Sequence, residues 1–186
     1  MLIPLRLSAQ TDEQLMQRAA RGSDRAFEEL YNRHARRLQG FFARRLGDDS
    51  DMAADFMQDT FLRLYAARDT YREGNSFRAW LYTIAYNLFK NHQRKTSLEQ
   101  PLLLGEGSDG EDMEVAIDDA IFHDALRDAL KRLPEAYAML FSLHYEEELT
   151  VPQIAKIVQL PEGTVKSRLH KAMNIIKQQL KQYENH

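Results

Sequence analysis

A group of basic and hydrogen-bonding side chains lies within eight consecutive residues near the C-terminus. Its members are Thr164, Lys166, Ser167, Arg168, His170 and Lys171. Lys and Arg side chains bind guanine edges or phosphates, and Ser and Thr hydroxyls bind bases or phosphates more weakly. The chemistry that this group predicts is therefore non-covalent binding to nucleic acid.

The flanking sequence predicts two helices that position this group. Thr150 and Gln153 form a capping-box pattern at the start of a short helix, Val151–Val158, and Pro161 suits the first turn of a longer one, Glu162–Gln182. An apolar stripe at helical spacing comprises Val165, Leu169, Ala172, Ile176 and Leu180. The opposite face presents Ser167, His170, Lys171 and Asn174, with Lys166 and Arg168 flanking it, as in a helix-turn-helix whose second helix enters the major groove. A solvated helix pair without DNA binding gives a similar pattern, so both interpretations remain open for this segment alone.

A second candidate surface lies on a helix predicted from Phe77 to Lys95. Its apolar stripe comprises Phe77, Trp80, Leu81, Ile84 and Leu88. At helical pitch the opposite face carries Tyr82, Tyr86, Phe89, Lys90 and Gln93, followed by Arg94 and Lys95. Exposed aromatic rings among bases favour stacking on unpaired nucleotides, at about 1–3 kcal/mol for each stack. Packing of the same rings inside a helical domain is the alternative.

The sequence does not predict an enzyme. The chain has no cysteine, which excludes thiol catalysis and thiolate metal ligation. The six histidines are scattered and form no metal-ligand spacing. The glycines at 105–110 match the G-x-G-x-x-G pattern, but no strand precedes them, so we reject a dinucleotide site. We expect no cofactor, no metal and no catalytic residue.

Charge divides the chain into three segments. The net charge is −3, but residues 1–96 carry 16 Lys and Arg against 12 Asp and Glu. Residues 97–124 carry 9 acidic and no basic side chains, and residues 125–186 carry 9 basic against 7 acidic. Glycines and serine among the carboxylates of the middle segment are typical of a flexible linker.

The periodicity predicts an all-α fold of two small helical domains joined by this acidic linker. We expect the domains over 1–96 and 119–186, with the linker over 97–118. In the first domain, Ser23 or Asp24 caps a helix, residues 47–51 end it, and Ser50 or Asp51 caps the next. A loop over 71–77 precedes the helix to Lys95. In the second domain, a helix from about Ile117 to Leu133 precedes a helix Glu135–His144.

Several segments, taken in order, resemble extracytoplasmic-function (group IV) sigma factors of the sigma-70 family. The segments that resemble sigma region 2 are Ala26–Tyr31, Ala54–Tyr65 and Phe77–Asn87, and those that resemble region 4 are Leu149–Ala155 and Gly163–His170. The resemblance implies a region 2 helical bundle and a region 4 helix-turn-helix, without a region 3 domain between them. It implies a subunit that directs RNA polymerase core to promoters.

The resemblance also implies residue roles. Contact with the clamp coiled coil of the largest polymerase subunit falls to Asp55, Gln58, Asp59 and Arg63. Recognition of the −10 element falls to Asn75, Ser76, Tyr82, Tyr86, Asn87, Lys90 and Arg94. Recognition of the −35 element falls to Thr164, Lys166, Ser167, Arg168, His170 and Lys171. Lys171 stands where the family often has Arg, and Met173 where another Arg is common, so the promoter sequence does not follow.

The partners implied are polymerase core, including the flap of its second-largest subunit, promoter DNA, and an anti-sigma factor that in this family is often membrane-tethered. The opening seven residues do not resemble a signal peptide and no apolar run is long enough to span a bilayer, so we expect a cytoplasmic protein. The alternative is a helix-turn-helix regulator that does not bind polymerase. That alternative explains residues 149–180 but not the surfaces of the first domain.

Overall fold

The computed structural model describes residues 7–96 and 126–184, apart from residue 127. All the regular secondary structure of these residues is helical, which confirms the all-α prediction. The chain divides into two compact units, Met1–Leu98 and Glu99–His186. The acidic linker over 97–118, and the helix start expected near Ile117, lie outside the described residues.

The N-terminal unit contains four α-helices among the residues described. They are α1 (Asp12–Ala20), α2 (Asp24–Ala43), α3 (Ser50–Ala66) and α4 (Phe77–Thr96). Ser23 caps α2 as predicted. Asp49 caps α3, by accepting a hydrogen bond from the Met52 amide at 2.9 Å. The prediction of Ser50 or Asp51 was therefore wrong by one or two residues. Helix α1 was not predicted, although Thr11 and Gln14 form a capping box at its start.

The core of this unit lies where α2 contacts α1 and α3, and where α4 packs on α3 and α1. Its fully buried side chains include Leu15, Leu30, Leu38, Phe41, Phe42, Leu64, Phe77 and Leu81. Each large apolar side chain contributes about 1.5–3 kcal/mol through removal from water. This core fixes the loop before α4 and the exposed faces of α3 and α4.

The predicted orientation of α4 was wrong at two aromatic residues. Tyr82 and Phe89 are both 2% exposed, and the Tyr82 ring lies 5.1 Å from the Phe41 ring in an edge-to-face contact. Trp80 and Ile84, which were expected in the core, are only partly buried. Because α4 contacts both α1 and α3, it buries a wider sector than a single stripe at helical spacing suggests.

The C-terminal unit contains α5 (Glu135–Phe141), α6 (Val151–Val158) and α7 (Glu162–Glu184). Residues 128–132 are also helical. A π-helical turn, Ser142–Glu146, follows α5, where a single helix to His144 was expected. Residues packed between α5 and α7 include Leu133, Tyr137, Phe141, Ala172 and Ile176. They hold α7 so that its outer face stays exposed.

Within the described residues, no helix combines the length and the apolar character needed to cross a membrane.

Candidate nucleic-acid interface

Helix α7 presents most of the predicted −35 residues on one face. Val165, Leu169, Ala172 and Ile176 are buried, which confirms the predicted stripe except at the partly buried Leu180. Lys166, Ser167 and His170 are exposed on the other side, and Thr164, Arg168 and Lys171 are half-buried. The Ser167 hydroxyl donates to the Thr164 carbonyl at 3.1 Å, and the Lys171 ammonium lies 5.9 Å from the centre of the Tyr137 ring.

The turn before α7 fixes the angle at which this face is presented. The Gln153 side-chain oxygen accepts from the Thr150 amide at 2.9 Å, so the predicted capping box is present. Gln159 adopts the left-handed conformation with φ of 58°, and the Leu160 amide donates to the Ala155 carbonyl at 3.1 Å. Glycine is the usual residue at this position of a helix end. Because Gln159 is not a glycine, the conformation of this turn could not be predicted from residue type.

The loop before α4 is closed by its own hydrogen bonds. Gly74 has φ of 87°, and the Asn75 amide donates to the Arg72 carbonyl at 3.2 Å. The Tyr71 hydroxyl donates to the Asn75 carbonyl, and the Ser76 hydroxyl oxygen accepts from the Ala79 amide at 3.2 Å as the cap of α4. The Asn75 side chain is exposed. Of the two loop residues predicted to meet DNA, Asn75 is therefore presented to solvent while Ser76 is engaged as a helix cap.

The outer face of α4 continues from this loop. Asn87, Lys90 and Arg94 are exposed, and they lie three and four residues apart on one side of the helix. Tyr86 is half-buried, and the Lys90 ammonium lies 5.8 Å from the centre of its ring. Tyr82 does not belong to this face, since only 2% of it is exposed. Its assignment to −10 DNA required an outward ring, and the packing against Phe41 contradicts that requirement.

A surface groove runs between α3 and the C-terminal half of α4. It contains all four residues predicted to contact polymerase; its lining comprises Asp55, Phe56, Gln58, Asp59, Leu62, Arg63, Leu88, Asn91, His92, Arg94 and Lys95. Leu62 is 67% exposed. A guanidinium nitrogen of Arg63 lies 3.9 Å from a carboxylate oxygen of Asp59. The groove therefore offers one exposed aliphatic side chain surrounded by charges of both signs, which suits a polar helical partner. Arg94, predicted to meet DNA, lines this groove as well.

A polar cluster that was not predicted from the sequence joins α1 to α2. The Asp12 carboxylate accepts from Arg33 at 3.0 Å and pairs with His34 Nε2 at 2.8 Å. The hydrogen bond from His34, followed by its charge and by Arg33, lowers the pKa of Asp12 despite partial burial. Arg33 also pairs with Glu29 at 2.9 Å. Asp12 lies 22 residues before His34, and no local pattern links residues that far apart.

The same edge of the unit contacts the loop before α4. The Glu13 carboxylate accepts from the Phe77 amide at 3.2 Å. Burial first, and then the charges of Glu13 and Asp12, raise the pKa of the Tyr71 hydroxyl to about 12. At neutral pH this hydroxyl therefore stays protonated and keeps its donor role toward Asn75.

Among the residues that the structure describes, no three His, Asp or Glu side chains come together in a way that could hold a metal ion.

Two family models match the chain. The model of sigma-70 region 2 matches residues 30–99, and the model of sigma-70 region 4 matches residues 123–175. The loop, α4 and the α3–α4 groove fall within the first match, and the helix-turn-helix within the second. Helix α1 precedes both.

Relatives match over nearly the full chain. The RNA polymerase sigma-H factor of Pseudomonas aeruginosa is 30% identical over 192 residues, covering 91% of this chain and 94% of the relative. The ECF RNA polymerase sigma-E factor of Escherichia coli is 30% identical over 178 residues, covering 89% and 92%. A solved structure of a Bartonella quintana sigma factor in complex with an anti-sigma factor is 25% identical with a TM-score of 0.63, covering 83% of this chain and 96% of that one.

Proposed function

This chain belongs to the ECF sigma factors of RNA polymerase, and we propose that its two units divide promoter recognition between duplex and unpaired DNA. As a sigma factor it directs polymerase core to promoters. The observation that carries the division is that one unit combines the α3–α4 groove with the basic and aromatic outer face of α4. A helix-turn-helix regulator that acts without polymerase gives no account of that unit.

The C-terminal unit is proposed to bind the −35 element as duplex. Helix α7 supplies Thr164, Lys166, Ser167, Arg168, His170 and Lys171, of which Lys166, Ser167 and His170 are the most exposed. Basic side chains at such a face bind phosphates or guanine edges. The Lys171 ammonium lies 5.9 Å from the centre of the Tyr137 ring, so contact with DNA requires its charged end to turn away from that ring.

The N-terminal unit is proposed to bind the −10 element after strand separation. Asn75 is exposed in the loop, and Asn87, Lys90 and Arg94 continue along α4 with Tyr86 beside them. Disruption of one duplex step costs about 0.6–2.2 kcal/mol, and one base–aromatic stack returns about 1–3 kcal/mol. A base turned out toward the loop finds hydrogen-bonding groups there, while Lys90 and Arg94 neutralise the backbone.

The α3–α4 groove is proposed to bind the clamp coiled coil of the largest polymerase subunit. Asp55, Gln58, Asp59 and Arg63 supply polar contacts around Leu62. A helical partner fits because these residues recur at three- and four-residue spacing along one side of α3. Further proposed partners are the polymerase flap, for the C-terminal unit, and an anti-sigma factor, as in the Bartonella quintana complex. A cytoplasmic location follows from the polymerase partner.

We also propose that the chain is not an enzyme. Binding energy alone positions the polymerase and holds strands apart, and the polymerase supplies the chemical steps. Purified chain without core polymerase should accordingly leave promoter DNA chemically unchanged.

A binding experiment with core polymerase tests the groove. Because Leu62 is 67% exposed, Leu62→Ala should leave the free energy of unfolding unchanged while it lowers core affinity by roughly tenfold, the effect of about 1.4 kcal/mol at an interface anchor. Met52→Ala is the matched control, since Met52 is an exposed apolar residue of α3 outside the groove lining. If the wild-type chain formed no complex with core polymerase, the proposed function would be contradicted. If Leu62→Ala and Met52→Ala bound core with equal affinity, the groove would not be the binding surface.

A further inference from the structure

Helix α1 carries a carboxylate that is tied to the loop proposed to read the unpaired base. The Glu13 side-chain oxygen accepts a hydrogen bond from the Phe77 amide at 3.2 Å, across 64 residues of sequence. Phe77 is the first residue of α4. Its amide has no acceptor within the helix, since the first amides of a helix lack intrahelical partners. Glu13 therefore supplies from another helix the acceptor that α4 lacks at its start.

The rest of the loop is held mainly by contacts within itself and with α4. The Tyr71 hydroxyl donates to the Asn75 carbonyl, the Tyr71 ring lies 5.3 Å from the Trp80 ring, and Ser76 caps α4. These bonds shape the loop but do not attach it to α1. The buried Phe77 ring packs on α2, with its centre 5.2 Å from that of the His34 ring, and the bond from the Phe77 amide to Glu13 adds the connection to α1, two residues after Asn75.

Helix α1 is itself firmly attached at this end. Arg33 donates to the Asp12 carboxylate at 3.0 Å and to the carbonyls of Gln10 and Leu7 at 2.8 and 3.1 Å. His34 holds the other oxygen of Asp12 at 2.8 Å. Four polar contacts from α2 thus fix the backbone on which Glu13 stands. A carboxylate on an anchored backbone positions its hydrogen-bond partner better than one on a mobile backbone, because less conformational entropy is lost when the bond forms.

We propose that Glu13 is a positioning residue for base recognition, because its carboxylate fixes the Phe77 amide and thereby the location of Asn75 relative to the outer face of α4. This inference rests on the proposed function of the loop and deepens it. Glu13 has no contact with DNA in this account. It acts through the loop, and its effect is on the choice of base rather than on affinity for DNA in general.

The test uses the full-length chain bound to core polymerase. The probe is a single-stranded oligonucleotide with the −10 sequence of a promoter that the wild-type holoenzyme opens, compared with oligonucleotides in which one −10 base at a time is replaced. Glu13→Ala should reduce the preference for the correct base at the position read by the loop by roughly tenfold, since a charge-assisted hydrogen bond is lost. Glu13→Gln should stay within about threefold of wild type, because its amide oxygen still accepts. Glu28→Ala, which removes an exposed carboxylate of α2, should have no effect.

Three results would overturn the inference. One is a Glu13→Ala holoenzyme with wild-type base preference. Another is a Glu13→Gln protein as impaired as Glu13→Ala. The third is a loss in which thermal stability and duplex binding fall while base preference is retained, which would indicate a purely structural role. A wild-type holoenzyme that prefers no base at any −10 position would instead remove the proposed function of the loop, and this inference with it.

Discussion

Tyr82 and Tyr86 lie one helical turn apart on α4 and have different surroundings. Tyr82 is buried against Phe41, whereas Tyr86 is half-buried beside Lys90. Tyr82→Ala should therefore lower the free energy of unfolding by about 3–5 kcal/mol, as for other large aromatic side chains in cores. Tyr86→Ala should leave most of the stability intact and reduce the yield of open complexes by the equivalent of one stack, about 1–3 kcal/mol.

Permanganate reactivity of unpaired thymines measures the open complex, and urea unfolding measures stability. Binding of duplex promoter before opening serves as the control for Tyr86→Ala and should be unchanged. An open-complex yield equal to that of wild type would contradict the role of Tyr86 in holding unpaired DNA.

Asp12 gives the N-terminal unit a specific dependence on acid. Hydrogen bonds from His34 and Arg33 lower its pKa below the ordinary value of 3.8. A carboxyl whose pKa is lower in the folded than in the unfolded state contributes stability at pH values above the unfolded pKa, and this contribution disappears as pH falls through the folded pKa. Asp12→Asn should therefore cost about 1–3 kcal/mol near neutral pH, and the difference from wild type should shrink below about pH 4.

Urea unfolding monitored through Trp80, the single tryptophan, measures this difference at several pH values. Trp80 lies in the N-terminal unit and so reports on the part of the chain that contains Asp12. Asp69→Asn, at an exposed site, is the control and should behave as wild type. A wild-type advantage that stayed constant down to pH 3 would contradict the assignment.

At the scale of single helices, local chemistry was predictable from sequence. Ser23 caps α2 and Thr150 caps α6 because a hydroxyl or an amide reaches backbone groups only three residues away. The buried stripe of α7 was also predictable, since that helix packs along one face. Such features depend on residues within one or two helical turns, and these residues are close together in the sequence.

Features that depend on distant residues could not be predicted in the same way. Tyr82 and Phe89 are buried because α4 packs against more than one helix. The spacing of apolar residues along a helix does not show how many other helices pack against it. Glu147 is the middle residue of three consecutive glutamates, yet it is 1% exposed. The bond from Phe77 to Glu13 spans 64 residues. In each case the tertiary contact determines the environment.

The exposed face of helix α7 leads to a prediction about phosphate binding. Lys166 is exposed near the start of the helix, on the flank of the buried stripe that contains Val165 and Leu169. If Lys166 binds a phosphate, Lys166→Ala should weaken duplex binding for all sequences and lower the slope of log affinity against log salt by about 1. The measurement is duplex affinity of the full-length chain across a salt series.

Arg132→Ala is the charge-matched control for Lys166→Ala. Arg132 is exposed and adjoins Leu133, whose cluster contacts α7 at Ile176, far from the start of that helix. The control should leave the slope unchanged. A slope equally reduced in both variants would indicate a general effect of net charge rather than a contact at Lys166.

At the scale of the whole molecule, charge is distributed to suit two DNA-binding units. Residues 1–96 and 125–186 are each net basic, and the 9 acidic residues between them make the total negative. Attraction to DNA phosphates therefore comes from the positive charge of each unit and not from the net charge of the whole chain. Two modest DNA contacts linked in one chain reinforce each other only when both sites are available at suitable spacing. A promoter with two elements meets that condition, and core polymerase contributes a third attachment.

Transcription reconstituted from purified components tests the central claim most directly. Core polymerase is supplied with genomic DNA fragments, with and without the chain, and transcript 5′ ends are mapped. We expect the chain to give discrete start sites that share two upstream elements and that are absent with core alone. We expect Tyr86→Ala to weaken transcription from the same sites. Start sites that are unchanged by addition of the chain would contradict its assignment as a subunit that directs polymerase to promoters.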